Sequence, residues 1–254
     1  MKKLTKLSVL MFIAIAIGFS SCKKDDDKKD DKSDSNNNPS LQYGSFTDTR
    51  DSKTYKTIKI GTQTWMAENL AYIGSDIQHI TDKDEWSWNG NHDAWCYYNN
   101  SDVIGETHGV IYQREAANIA CPSGWHLPSA SEWDKLSVYL RDNGFDYNGE
   151  IGSMGIAKSL ATNYGWKVST FRGDVGSTEL SEYRNKTGFS ALPSGYRSSG
   201  GYFEYLEEKG FWWNTSDNDD NSFGYYHYLI WDNTTISSGV FSQKYGMTVR
   251  CIKD

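Results

Sequence analysis

The stretch Cys121-Pro122-Ser123-Gly124-Trp125-His126-Leu127-Pro128-Ser129, running on to Glu132, Trp133 and Leu136, decides how this chain is read. Pro122 and Pro128 each fix a backbone angle and remove a hydrogen-bond donor. Gly124 admits conformations that other residues resist. Ser129 and Glu132 stand at the spacing of an S-x-x-E capping box. Behind them Trp133, Leu136, Tyr139 and Leu140 fall on one helical face, and Asn143-Gly144 supplies a stop. The spacing therefore predicts a short rigid connector that feeds a helix. Nothing in it suggests a reaction centre, so it reads as a keystone of the fold, with function to be sought around it.

Working outward to the N-terminus, residues 1–21 do not belong to the fold. Lys2, Lys3 and Lys6 precede an apolar run of roughly 13 residues, Leu7 to Phe19, too short to span a bilayer comfortably. The run ends in Phe19-Ser20-Ser21-Cys22, which resembles a bacterial lipobox and implies cleavage before Cys22 and acylation of that cysteine. Residues 22–40 read as a solvated tether, because Lys and Asp blocks give way to Ser and Asn with almost nothing apolar to bury. Its Lys-Lys-Asp-Asp-Asp resembles the export signal of Bacteroidota lipoproteins, which implies an outer-membrane lipoprotein displayed on the cell surface and held by its lipid alone. Loss of residues 1–21 removes three lysines and no acid, taking the formal charge from −7 to −10. That balance argues against a nucleic-acid partner.

The remainder, residues 41–254, has the length of one large domain. Thr54 to Ile60 alternates, Gly61-Thr62-Gln63 turns, and Thr64 to Leu70 returns, which is a hairpin pattern. Residues 74–94 read as polar and irregular, with Trp86 and Trp88 stranded among acidic, Asn and Gly residues. Tyr112 to Ala120 reads as a short helix, and Ile156 to Leu160 as a helical turn or two. Strand-like segments follow at Phe189–Pro193, Gly195–Arg197, Gly210–Asn214, Tyr225–Trp231 and Met247–Ile252. Besides Cys22 the cysteines are Cys96, Cys121 and Cys251; an oxidising compartment permits pairing, three cannot all pair within one chain, and the absence of C-x-x-C argues against a zinc cluster or redox pair.

Five motifs together resemble one family. They are Ile60-Gly61-Thr62-Gln63-Thr64-Trp65-Met66-Ala67-Glu68-Asn69-Leu70, the opening stretch through Trp133, Gly188-Phe189-Ser190-Ala191-Leu192-Pro193-Ser194-Gly195-Tyr196-Arg197, Phe211-Trp212-Trp213-Asn214-Thr215-Ser216, and Gly246 to Asp254 with its Val249-Arg250-Cys251. In order and spacing the set resembles the Fibrobacter succinogenes major paralogous domain of Bacteroidota surface lipoproteins. That family is in turn similar, more distantly, to the C-type lectin fold as seen in formylglycine-generating enzymes. The resemblance implies an α+β domain, C-type lectin-like, with two helices flanking a small twisted antiparallel sheet, long irregular loops and chain ends close together. If those ends meet, it implies a disulfide between Cys121 and Cys251, with Cys96 free and buried.

An enzyme reading needs a constellation that the sequence does not display. There is no H-E-x-x-H, no G-x-S-x-G and no phosphate-binding glycine loop. The cysteine pair of formylglycine-generating enzymes has no counterpart. His126 with Asp134 can be drawn as a base and its orienter, but a histidine inside a Trp-rich structural motif reads as structure. No catalytic residue and no resident cofactor is expected. Calcium is the one metal to weigh: Asp217, Asp219 and Asp220 offer hard oxygen donors, without the spacing of an EF-hand loop.

Sugars pack their C–H faces on aromatic rings while amides and carboxylates satisfy their hydroxyls. With 10 Trp and 17 Tyr the chain is rich in rings. Trp65, Trp125 and Trp133 sit in the motifs and read as core. Trp212 and Trp213 adjoin on a strand, so one is expected to point inward and one outward. Trp86, Trp88, Trp231 and Trp213 are the candidate ligand-binding rings. The expected function is a non-enzymatic, surface-displayed binding module for glycan. The alternatives are a protein-interaction or adhesin subunit at the cell surface and, third, a glycoside hydrolase.

Overall fold

The computed structural model describes residues 41–215 and 223–254. In chain order the strands and helices are β1 (Gln42–Thr47), β2 (Thr54–Ile60), β3 (Gln63–Met66), β4 (Gln78–His79), α1 (Lys83–Trp88), β5 (Ala94–Cys96), α2 (Asp102–His108), β6 (Ile111–Tyr112), α3 (Arg114–Ala120), β7 (Trp125–His126), α4 (Ala130–Asp142), α5 (Ala157–Leu160), β8 (Ser194–Arg197), β9 (Phe203–Leu206), β10 (Lys209–Asn214), β11 (Gly224–Ile230), β12 (Ser237–Phe241) and β13 (Ile252–Lys253). Sheet one runs β1-β2-β3-β13-β7, sheet two β12-β11-β10-β8-β9, and a small third sheet β4-β5-β6.

The expected α+β, C-type lectin-like arrangement of two helices around one small sheet is therefore wrong. Among the described residues thirteen strands form three sheets, and only α4 exceeds seven helical residues. The two expected helices exist as α3 and α4, but they serve sheets that outweigh them. The reason is that both large sheets are covered on both faces. In sheet one, Tyr55 and Met66 join one hydrophobic cluster while Ile58, Ile60, Trp65 and Ile252 join a second. In sheet two, Phe211, Trp213 and Tyr226 enter the first cluster while Trp212 and Leu229 enter the second. Strands buried on both faces lose the in–out alternation by which a strand is recognised.

The opening connector behaves as its chemistry dictates. Ser129 caps α4 by accepting from the Glu132 amide, and Glu132 accepts from the Ser129 amide at 2.8 Å. Trp133, Leu136 and Leu140 are buried on one face of α4 and Asn143 caps its end. The β2–β3 hairpin turns at Gly61, whose φ of +60° suits glycine. The closing strand β13 lies between β3 and β7, in the sheet that β1 begins. Cys121 and Cys251 are bonded, with Cα atoms 5.9 Å apart, and Cys96 is free and buried.

Long irregular loops bring buried carbonyl groups that no ladder satisfies. Cationic side chains take that role. The Lys158 ammonium donates to the carbonyls of Arg172, Asp174 and Ser177 at 3.3, 3.2 and 2.9 Å, and burial brings it down to about 8. Arg184 reaches the carbonyls of Thr162, Val175 and Ser177. Arg197 donates to four carbonyls between two aromatic rings.

His227 of β11 gives the core an acid-sensitive point. It stacks on Trp133, with centroids 4.9 Å apart, and its Nδ1 accepts from the Asn214 amide at 2.9 Å. Burial lowers it from 6.5 to about 4, so the folded ring is neutral. A base with a depressed folded pKa loses stability as pH falls from the unfolded value of 6.5 toward the folded value. The shift corresponds to about 3 kcal/mol below pH 4. Urea denaturation at pH 7 and pH 4 is expected to show this loss in the wild type and a smaller one, by about 3 kcal/mol, in His227→Gln. Equal losses in the two proteins would discard the assignment.

Candidate functional site

The motifs that identify the chain converge on one buried amide. Asn69 uses all its hydrogen-bonding capacity. Its Nδ2 donates to the His108 carbonyl at 2.8 Å and to Ser194 Oγ at 3.0 Å, and its Oδ1 accepts from Trp212 Nε1 at 2.9 Å and from Arg250 at 2.7 Å. Four separate motif segments are thus joined at a point that is 5% exposed. Arg250 lies over the Phe189 ring at 4.4 Å and donates to the carbonyls of Phe189 and Ser190. Burial lowers this guanidinium to about 9. The motif residues that meet at Asn69 build the scaffold.

The family description Fibrobacter succinogenes major domain matches residues 58–253. The chain belongs to that family. No curated protein and no solved structure matches it. In this member of the Fibrobacter succinogenes major domain family, the candidate rings outside the shared motifs are Trp86, Trp88 and Trp231.

His126 is not paired with Asp134, as a catalytic dyad would need. Its Nδ1 bonds Asp254 at 2.6 Å and its Nε2 bonds Glu132 at 3.0 Å, fastening the chain's last residue to the first turn of α4. Burial alone would lower its pKa, but the two carboxylates outweigh burial and raise it. The ring is occupied at both nitrogens.

The four candidate tryptophans separate. Trp86 and Trp88 share α1, whose N-cap Asp82 accepts from the amides of Asp84 and Glu85. Two residues along a helix is a rotation of about 200°, so the rings point to opposite sides. Trp86 is fully buried under Arg197 and offers no face to a ligand. Of Trp212 and Trp213 one is expected to point outward, but Trp213 is fully buried, with Nε1 donating to the Tyr112 carbonyl at 2.7 Å, and Trp212 is buried too, because sheet two is covered on both faces. Trp231 is half-buried against the second cluster, with the Lys167 ammonium 4.7 Å above its ring. Trp88 is 79% exposed and has no ring partner among the described residues. The candidates do not form one shared face.

Trp88 borders a surface depression of about 410 Å³ whose other lining residues are Gln78, His79, Ile80, Glu85 and Asn89. Its geometry is fixed from beneath. His79 stacks flat on Trp95, centroids 4.0 Å apart and planes 12° apart. Asp93 holds the Gln78 and Asn89 amides at 3.1 Å each. Arg197 donates to the carbonyls of Ile80, Thr81 and Asp82, anchoring the root of α1. The polar lining escaped the sequence reading, although Asp82 and Glu85 have the spacing of a helix start. Recognising that helix would have placed Trp86 and Trp88 on opposite faces.

Two other features fit a ligand less well. A notch of about 150 Å³ beside β2 and α2 balances Lys53 and Lys56 against Glu68 and Glu106. On sheet two, Tyr196, Tyr226, Phe241 and Tyr245 pack on one another and leave only partial edges.

Asp217, Asp219 and Asp220, the calcium candidates, and the lipid-attachment Cys22 lie outside the described residues. Among the described residues no group of three or more His, Cys, Asp or Glu side chains is placed to hold a metal, and no helix is long and apolar enough to cross a membrane.

Proposed function

We propose that this chain is a non-enzymatic binding module, tethered to the outer membrane by an acylated Cys22 and displayed at the cell surface, that takes glycan at the Trp88 depression. The observation that carries the reading is an unpartnered tryptophan, 79% exposed, beside a depression lined by two amides, an imidazole and a carboxylate. A flat ring supplies the stacking face and the polar rim supplies the hydroxyl partners.

The test is affinity electrophoresis of the full chain through gels holding plant and host polysaccharides. At least one polymer is expected to retard the wild type. Trp88→Ala is expected to weaken that affinity at least about 30-fold, the size of an interface hot spot of about 2 kcal/mol. Its denaturation midpoint should not move, since the ring packs against no core cluster. Retention of no polymer overturns the reading. If the chain instead captures a stoichiometric outer-membrane protein, the site serves protein interaction.

A further inference from the structure

The Trp88 depression carries a charge pattern that narrows its ligand. We propose, building on the glycan reading above, that it selects uncharged glycans with free hydroxyl groups and rejects polyuronates and sulfated polysaccharides.

One carboxylate, Glu85, lines the depression, and further carboxylates lie close to it in the chain or behind its lining. Asp84 and Glu85 lie exposed on the first turn of α1, after its exposed N-cap Asp82; Asp84 pairs with Lys83 at 4.0 Å, and Glu85 lines the depression itself. Asp93 stands behind Gln78 and Asn89, holding both amides. The cations of the region are committed elsewhere. Arg197 is 1% exposed and spends its donors on the carbonyls of Gly201, Ile80, Thr81 and Asp82. The Lys83 ammonium sits on the Tyr202 hydroxyl at 3.0 Å and over that ring. The Lys244 ammonium donates to the Ser87 carbonyl at 2.9 Å. Among the described residues no lysine or arginine lines the depression.

Recognition of an anionic sugar calls for a positioned cation, most often a bidentate arginine. Among the described residues none lines the depression, and an incoming carboxylate or sulfate would approach Glu85. A carboxylate that only accepts needs O–H donors. A neutral sugar stacked on Trp88 presents them at its rim, and Glu85 can take two neighbouring hydroxyls at once. The amide oxygen of Gln78, whose nitrogen is tied to Asp93, is a further acceptor.

The experiment is affinity electrophoresis of the full chain at low salt against xylan, mannan and mixed-linkage β-glucan on one side, and polygalacturonate and dextran sulfate on the other. The wild type is expected to be retarded by at least one neutral polymer and to bind the acidic ones at least about tenfold more weakly. The double variant Asp84→Asn, Glu85→Gln is expected to lose neutral affinity about tenfold and to gain polygalacturonate affinity by a similar factor. Equal or tighter binding of polygalacturonate by the wild type overturns the neutral selectivity and leaves the glycan reading standing. So does a double variant whose preference does not move. Neutral binding that survives Trp88→Ala overturns the placement of the glycan at the Trp88 depression, and the selectivity with it. Retention by no polymer removes both.

Discussion

Reducing the Cys121–Cys251 disulfide is expected to lower the unfolding midpoint by about 10–20 °C. The bond joins residues 130 apart, and constraining a loop of that length in the unfolded chain contributes about 5 kcal/mol. Cys121 caps the end of α3, at the start of the connector that feeds α4. Cys251 is fully buried and its carbonyl accepts from the Met66 amide at 3.0 Å, just before β13 enters sheet one. The bond therefore ties the helical connector to the closing strand, alongside the pairings of β13 with β7 and β3, the His126–Asp254 contact and the backbone bonds of Val249, Cys251 and Asp254. Cys96 does not compete for the bond. It is buried, and desolvation pushes its thiol up to about 12 despite the nearby Arg197. Peptide mapping should find Cys96 alkylated only after denaturation and Cys121 linked to Cys251. Coincident melting curves for the oxidised and reduced protein would defeat the prediction, as would a Cys96–Cys121 link.

Local chemistry made some elements legible and hid others. The α4 helix could be read entire, because a capping box, an apolar face and an Asn-Gly stop all lie within it. The β2–β3 hairpin was legible for the same reason. Sheet two was not. Phe211-Trp212-Trp213 is an apolar run on β10, and the in–out rule assumes water on one side. Here Trp213 enters one cluster and Trp212 the other, so both are buried. Phe189–Pro193 reads as strand by composition, yet it forms only an isolated bridge at Ala191 to Ala161, while its carbonyls serve Arg250 and Trp166. β4, β5 and β6 span two or three residues each, too few to show any period. The same limit governs the site. Trp86 and Trp88 share one acidic, Asn-rich neighbourhood in sequence, and only the helical rotation of α1 makes one core and the other surface.

Arg197→Met is expected to destabilise the fold by about 3–5 kcal/mol, because it takes the donor from four carbonyls that the guanidinium serves. The side chain is 1% exposed, and among the described residues its acceptors are backbone carbonyls. Its donors reach Ile80 at 2.7 Å, Thr81 at 2.9 Å, Asp82 at 3.0 Å and Gly201 at 3.2 Å. The guanidinium lies 4.4 Å from the Trp86 ring centre and 4.9 Å from that of Phe203. Methionine preserves the apolar stem and strands the carbonyls, each costing about 1–3 kcal/mol before relaxation. Arg197→Lys is not conservative at a stacked, forked site: its three donors cannot serve four carbonyls in the guanidinium plane, and a loss of about 2 kcal/mol is expected. The consequence reaches the ligand site, because Ile80–Asp82 are the root from which α1 rises to Trp88. In urea titrations the order should be wild type, then Lys, then Met. Any affinity for neutral polysaccharide should fall in that order too, although Arg197 does not line the depression. A methionine variant within about 1 kcal/mol of the wild type would show that the carbonyls find other partners and that α1 does not depend on this arginine.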